Sequence, residues 1–352
     1  MYRPTIRHGP RLAKAASGRR LFATEADIAQ AKNYCVTQIA KADRSAWLIR
    51  QFVPRPAQDA YDALRALNLE LVRLPETVSN PTLGQMRVQF WREAVDKTFA
   101  GSPPREPICL LLAEALRDLE ARAGGSTKKS LRFWVSRVVK ARERHLSNRP
   151  FPSLAALEEH AENTYSTLMY ATLAAVPMRS MHVDHLASHI GKACGIVALL
   201  RGIPVLAAPS TEASRRDPAL LLPLDAMAEA GVSEESVFRE GPHAPGFRDA
   251  VFKVATRAND HLITAREMLK NLQAGRHAGH EFEHEGEDHH VYDDGHEDAG
   301  RDVRRAFGVL LEAVPAEDYL LELQKRDFDP FAVRPGWKLP WRIWRALRQQ
   351  KI

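Results

Sequence analysis

The sequence predicts an all-α protein, a helical bundle, and three observations support that expectation. Apolar residues recur at intervals of three and four in Tyr61-Leu64-Leu67-Leu71, Leu83-Met86-Phe90-Ala94 and Leu131-Trp134-Val138, the period of one helix face. Prolines at 54, 56, 81, 103, 104, 107, 150 and 152 punctuate the connections between such runs. No stretch sustains the period-two alternation, bounded by turns, that a half-buried strand requires. With 352 residues, the chain can form one large helical domain or two smaller ones, each with a real core.

Charge comes next, because a sequence pI near 9.3 invites a nucleic-acid partner. Residues 1–24 hold Arg3, Arg7, Arg11, Lys14, Arg19 and Arg20 and no acid, while the whole chain carries a net charge of +6. Everything from Glu25 onward therefore sums to zero, and no nucleic-acid surface is expected. The leader has no apolar core of the kind a secretory signal needs. It reads as a mitochondrial transit peptide over residues 1–22, since a positive, acid-free segment is drawn across the inner membrane by the potential. A basic tail that binds RNA is the alternative. Cys35, Cys109 and Cys194 are far apart and odd in number, so they offer neither a disulfide framework nor a metal spacing.

Helical patterning runs from about Ile28 to Leu272. Its most apolar window, 193–208, is interrupted by Arg201 and Pro204 and is shorter than a membrane span, so it reads as a buried core helix. Residues 274–300 then change character, with six of the 14 histidines and nine acids. Such a segment cannot bury enough apolar surface to offset its ordering entropy and is expected to be a disordered insertion, with weak metal binding as an alternative. Residues 331–352 form a basic, tryptophan-rich tail. Trp341, Trp344 and Leu347 share one helical spacing, and Arg342, Arg345 and Arg348 share another. Together with Trp337, these tryptophans and arginines suit the headgroup region of an anionic membrane. The alternative is a terminal helix that docks its tryptophans on the core.

Three segments carry a family resemblance. DALRALNLELVRLPETVSNPTLGQMRVQFWREAV (62–95) and HIGKACGIVALLRGIPVLAAP (189–209) resemble the two signature blocks of squalene/phytoene synthases, and LLPLDAMAEAGVS (221–233) resembles the segment after the second. The resemblance implies a single isoprenoid-synthase-type bundle with a central cavity over about residues 28–330. In those enzymes paired aspartate motifs hold Mg²⁺ against a diphosphate. Carboxylates four apart share one helix face and converge on a hard cation, which stabilises the leaving group.

Aligned on that pattern, the first block here has Val72, Arg73 and Glu76 at the aspartate positions. The second keeps Arg201 but has Gly202 beside it, Val205 or Leu206 at the later acid position, and Gly195 and Ala198 where the family has glutamine and asparagine. No Asp or Glu occurs between Asp184 and Glu212, so a whole helix has no carboxylate for a metal, and Arg73 would repel one. Replacement acids are poorly placed: Glu70 and Glu76 are six apart, and Asp59 and Asp62 lie upstream.

Within the superfamily, RALNLEL (65–71), GQMRVQFWREAV (84–95), HAENTYSTLMY (160–170), HVDHLASHIGKACGIVALLRGIP (182–204) and RDFDPF (326–331) resemble the branch of mitochondrial complex I assembly factors. That branch implies a non-catalytic role in the matrix, peripheral to the inner membrane, with complex I subunits or other assembly factors as partners and no cofactor. The other readings are a prenyl-diphosphate-using transferase and a lipid- or prenyl-binding module. For the latter, Arg73, Asn163, Tyr165, Lys192 and Arg201 are expected to face the cavity and hold an anionic ligand. His182, His185 and His189 have the spacing of one helix face. They read as packed histidines rather than a zinc site, because no fourth ligand or general base accompanies them.

Overall fold

The computed structural model describes residues 23–77, 80–208, 217–279 and 299–352. The expected leader and most of the acidic insertion lie outside the described residues. Within them, fifteen α-helices succeed one another: α1 (Glu25–Ala42), α2 (Arg44–Ile49), α3 (Arg55–Thr77), α4 (Pro81–Phe99), α5 (Pro107–Ala123), α6 (Gly125–Arg144), α7 (Leu154–Ala161), α8 (Thr167–Ala175), α9 (Met181–Leu206), α10 (Leu224–Glu229), α11 (Glu234–Glu240), α12 (Phe247–Gln273), α13 (Ala299–Leu310), α14 (Ala313–Lys325) and α15 (Leu339–Gln349). A π-helical turn, Glu162–Ser166, joins α7 to α8. There is no strand among the described residues.

Local chemistry sets many of the boundaries. The Thr24 hydroxyl accepts from the Asp27 N–H at 3.2 Å while the Asp27 carboxylate accepts from the Thr24 N–H at 2.8 Å. This reciprocal cap satisfies two orphan donors of α1. Pro81 and Pro107 occupy the first turns of α4 and α5, where a missing N–H costs nothing. Pro75 and Pro204 instead lie inside α3 and α9. The Pro204 that interrupts the apolar window does not end the helix, and α9 continues to Leu206. A proline this near a C-terminus disturbs only the last turn.

Helix α9 is the axis of the bundle. Of its 26 residues, 15 are buried, and it packs on α12, α7, α8, α13, α14 and the π turn. It is the one described helix long and apolar enough to cross a membrane, but burial on all sides makes it a core helix. On the other side α3 packs against α1, α5 and α8. Two buried ion pairs tie α3 into place. Arg50 Nε donates to both Asp62 oxygens, at 2.7 and 2.9 Å. Arg65 pairs with Glu312, which also accepts from the Tyr61 hydroxyl at 3.1 Å. The three cysteines are free. Burial pushes their thiols up, Cys109 to about 12, which makes them unreactive.

Two expectations change on α4 and α15. Of the stripe Leu83-Met86-Phe90-Ala94 only Ala94 is buried, since Leu83, Met86 and Phe90 are 48%, 64% and 48% exposed. Val88, Trp91 and Val95 are buried instead. Helix α4 has apolar residues on two faces, and periodicity alone cannot choose between them. In α15 the core-facing residues are Leu339, Ile343 and Ala346, so Trp341 and Trp344 are not docked on the core. Arg342 also differs from its expected outward position. It turns inward to pair with Asp318 and, at 2.9 Å, with Glu317 on α14.

Candidate functional site

The C-terminal halves of α3 and α9 face each other across a cavity of about 320 Å³, within the range of small-molecule pockets, roughly 300–1,000 Å³. Helix α3 contributes Leu71, Val72, Pro75 and Glu76, and α9 contributes Gly195, Ala198, Leu199, Gly202, Val205 and Leu206. Five of the six positions aligned with the metal-binding motifs, Val72, Glu76, Gly202, Val205 and Leu206, thus line one cavity. The remaining wall is formed by Arg142 of α6, by His145, Asn148, Arg149 and Phe151 beyond its end, by Leu157, His160 and Tyr165 in α7 and the π turn, and by Leu221.

Close backbone approach shapes this wall. A Cβ on Gly191 would lie 2.3 Å from Ser166 Cα, and one on Gly195 would lie 2.5 Å from Ala161 Cβ and 2.9 Å from Ala161 Cα. Only glycine lets α9 lie this near the π turn. The family's glutamine at position 195 is excluded by sterics as well as lost as a functional group. The extra residue of a π turn rotates the side chains after it about the helix axis, and here it presents Tyr165 to the cavity while Asn163 faces α6.

Several expected ligand-binding residues are elsewhere. Arg73 is on the α3 flank turned towards α1, where its Nη1 donates to Gln38 at 3.3 Å. Arg201 is on the α9 flank turned towards α14: its Nη2 donates to the Pro315 carbonyl at 2.6 Å, and the guanidinium sits 5.1 Å over the Tyr319 ring. Asn163 accepts from Arg137 Nε at 2.6 Å. Lys192 is buried, and the cavity lining begins one turn beyond it, at Gly195. Of the five residues assigned to the anionic-ligand pocket, only Tyr165 lines the cavity.

The cations of the cavity are ones that motif reasoning missed. Arg142 donates to Asn68 Oδ1 through Nη2 and Nε, at 3.0 and 3.2 Å, and its guanidinium lies 5.5 Å over Tyr165. Burial lowers its pKa, which the Tyr165 ring partly offsets. Arg142 Nη1 lies 3.4 Å from His160 Nε2; since a guanidinium only donates, this histidine is neutral with Nε2 as acceptor. Burial first, then Arg142 and His145, depress its pKa strongly. Burial, with Arg142 and Arg144, also lowers His145. The signal available in the sequence was the dense basic segment ARERHLSNRP at 141–150.

A magnesium cluster does not fit this lining. One carboxylate, Glu76, stands among two guanidiniums and two histidines, whereas hard divalent cations need several oxygen donors. The replacement acids considered from the sequence are engaged outside the cavity. Glu70 accepts from the Tyr34 hydroxyl at 3.5 Å, Asp59 pairs with Lys32 at 2.5 Å and Asp62 is held by Arg50. The histidines of α9 pack among themselves and α12: His189 Nδ1 is 3.0 Å from His261 Nδ1, and His261 Nε2 is 2.7 Å from Glu158. Among the described residues no group of three His, Cys, Asp or Glu is placed to hold a metal ion.

The squalene/phytoene synthase family profile matches residues 39–345. The chain belongs to the squalene/phytoene synthase family. It is 33% identical over 323 residues to the Rattus norvegicus protein named NADH dehydrogenase (ubiquinone) complex I, assembly factor 6, with 91% of this chain and 83% of that one covered. The Homo sapiens protein of the same name is 31% identical over 321 residues, covering 91% and 80% of the two chains. Among solved structures, a dehydrosqualene synthase superposes with a TM-score of 0.62 at 13% identity, covering 92% of this chain and 98% of its own. At that identity the likeness establishes the squalene/phytoene synthase fold and says nothing of activity.

Proposed function

We propose that this protein is an assembly factor for mitochondrial complex I that performs no prenyl transfer, and that it works in the matrix, peripheral to the inner membrane. The observation that carries the non-catalytic part is the composition of the cavity. A diphosphate leaving group needs cations held by carboxylates, and Glu76 is the one carboxylate in a lining that also holds Arg142 and Arg149. The assembly role follows from the relatives named as complex I assembly factor 6, and its partners would be complex I subunits or other assembly factors. The acid-free, arginine-bearing residues 1–22 support import into mitochondria. Deleting the gene and quantifying assembled complex I tests this function. Loss of complex I, restored equally by the unaltered chain and by Glu76→Ala, is the expected result. Normal complex I in the deletion strain contradicts it.

A second reading of the same cavity is favoured by Arg142, which forms no ion pair among the described residues, while Leu71, Val72, Leu199, Val205 and Leu206 give the same cavity an apolar lining. A cation at the end of an apolar cleft suits an amphiphile with an acidic head, bound without turnover. Calorimetry with farnesyl diphosphate, with and without Mg²⁺, tests this: heat that is independent of metal and lost in Arg142→Gln supports binding, and no heat in either condition rules it out.

A further inference from the structure

The strongest unexplained feature of the surface is the outward face of α15. Its inward residues, Leu339, Ile343 and Ala346, fix the helix against the bundle, and α2 and α14 flank it. Arg266 Nε and Gln273 Nε2 hold the chain end, donating to the Ile352 and Gln350 carbonyls at 3.0 and 2.8 Å. Helix α15 is therefore a seated element of the bundle. Trp341 and Trp344 on this helix, and Trp337 in the turn before it, nevertheless remain in solvent: Trp337 is 80% exposed, Trp341 56% and Trp344 51%. Trp91 and Trp134 are buried in the core, so the fold can cover tryptophan where packing requires it. Exposed indoles grouped on and beside a helix seated on the bundle mark a contact surface.

Charge identifies the partner. No acid follows Asp329 in the sequence. Of the cations beyond it, Arg342 is neutralised by Glu317 and Asp318, whereas Arg334, Lys338, Arg345, Arg348 and Lys351 are exposed. Two of these lie directly over the indoles: Lys338 Nζ is 5.4 Å from the Trp337 ring centroid and the Arg345 guanidinium is 5.4 Å from that of Trp341. Ring and cation thus sit at one level, as at the boundary between acyl chains and anionic headgroups, where tryptophan is favoured and basic residues meet phosphate. At 11 residues the helix is about 16 Å long, far too short to span a bilayer, and α9 is committed to the core. The geometry fits a helix lying flat on a surface.

We infer that Trp337, Trp341 and Trp344, with Lys338, Arg345 and Arg348, form the docking face by which this protein binds an anionic lipid bilayer. The inference rests on the peripheral-membrane part of the proposed function and assigns it a surface. It separates the tail into parts that the pattern of residues had merged, because Arg342 belongs to the seat of the helix and not to its lipid-facing side.

Co-flotation of the full chain with phosphatidylcholine vesicles, with and without cardiolipin, tests the inference. A tryptophan pair and an arginine pair are replaced in turn; both variants alter exposed side chains only, and each retains the basic residues 1–22, so any difference belongs to α15. The unaltered chain is expected to float with cardiolipin-containing vesicles and to lose most of that binding on phosphatidylcholine alone. Trp341→Ala/Trp344→Ala lowers binding at least roughly tenfold through lost interfacial burial. Arg345→Gln/Arg348→Gln lowers it roughly thirtyfold, about fivefold per cation. Equal binding of both variants and the unaltered chain overturns the assignment of the face but leaves peripheral association standing. An unaltered chain that binds neither vesicle overturns both. Equal binding to neutral and anionic vesicles removes the role of the cations and with it the proposal. A tryptophan variant that changes oligomeric state while vesicle binding is unchanged makes the face an interface between copies and also overturns the proposal.

Discussion

Replacing Gly191 by alanine perturbs the contact that gives the cavity its shape. Alanine in place of glycine inside a helix ordinarily stabilises by about 0.5–1 kcal/mol, because the unfolded chain loses freedom. At position 191 the new methyl would meet Ser166 Cα at 2.3 Å and Ser166 N at 2.4 Å. Both are backbone atoms of the π turn, so no side-chain rotation relieves the contact. Overpacking of this kind costs about 1–3 kcal/mol, and a backbone clash this close belongs at the upper end, so the net expectation is a loss of roughly 2 kcal/mol after the helix-propensity gain is subtracted. Gly202 is the internal control. A Cβ there meets only the flexible Leu206 Cδ1, at 3.5 Å, so Gly202→Ala is expected to gain up to about 1 kcal/mol. Urea denaturation monitored by circular dichroism reads both changes as shifts in midpoint at constant slope. The two substitutions should move the midpoint in opposite directions. A Gly191→Ala variant as stable as its parent would refute the close approach of α9 to the π turn.

Three further outcomes are expected. Arg65→Met leaves Glu312 buried and unpaired and should cost about 3–5 kcal/mol, while Arg65→Met/Glu312→Leu recovers much of it; a double variant no better than the single one counts against the pair. His160 is held neutral with its pKa far below the ordinary 6.5, so the unfolded state binds the extra proton. Stability is then complete above about pH 6.5 and falls as pH drops below it, by up to about 1.4 kcal/mol per unit. His160→Leu should flatten that slope in urea titrations at successive pH values, and an unchanged slope excludes His160 as its source. Met86→Ser and Phe90→Ser, on the exposed stripe, should shift stability by less than about 0.5 kcal/mol, whereas Trp91→Ala should lose about 3–5 kcal/mol; equal losses would place α4 the other way round.

How much of this was legible in the sequence depends on what each residue had to satisfy. The helical class was readable because apolar spacing recurs over most of the chain, and family membership because the two signature blocks are long and idiosyncratic. Side-chain direction was less accessible. Arg73 and Arg201 occupy the right helices but the flanks facing α1 and α14, and one helical step of about 100° separates a cavity position from a flank. Asn163 was misplaced for a different reason: the π turn inserts a residue, and nothing in HAENTYSTLMY (160–170) announces the change of period. Leu83, Met86 and Phe90 look like a core face because α4 carries a second apolar stripe, and only packing reveals which one is covered. Arg142, His145 and Arg149 lie in none of the segments that carry the resemblance, and His160 opens HAENTYSTLMY (160–170) without any feature that marks it as a cavity residue. Arg342 illustrates the same limit in α15, where charge pattern alone joins a structural ion pair to exposed cations.

The proposed absence of prenyl transfer rests on the electrostatics of one cavity, where two guanidiniums and a single carboxylate share the lining and a magnesium–diphosphate complex would lack its ligands. Incubating the purified chain with farnesyl or geranylgeranyl diphosphate and measuring pyrophosphate release, with and without Mg²⁺, tests this most directly. No release above the protein-free rate under either condition is the predicted result; magnesium-dependent release, abolished by Glu76→Ala, would contradict it.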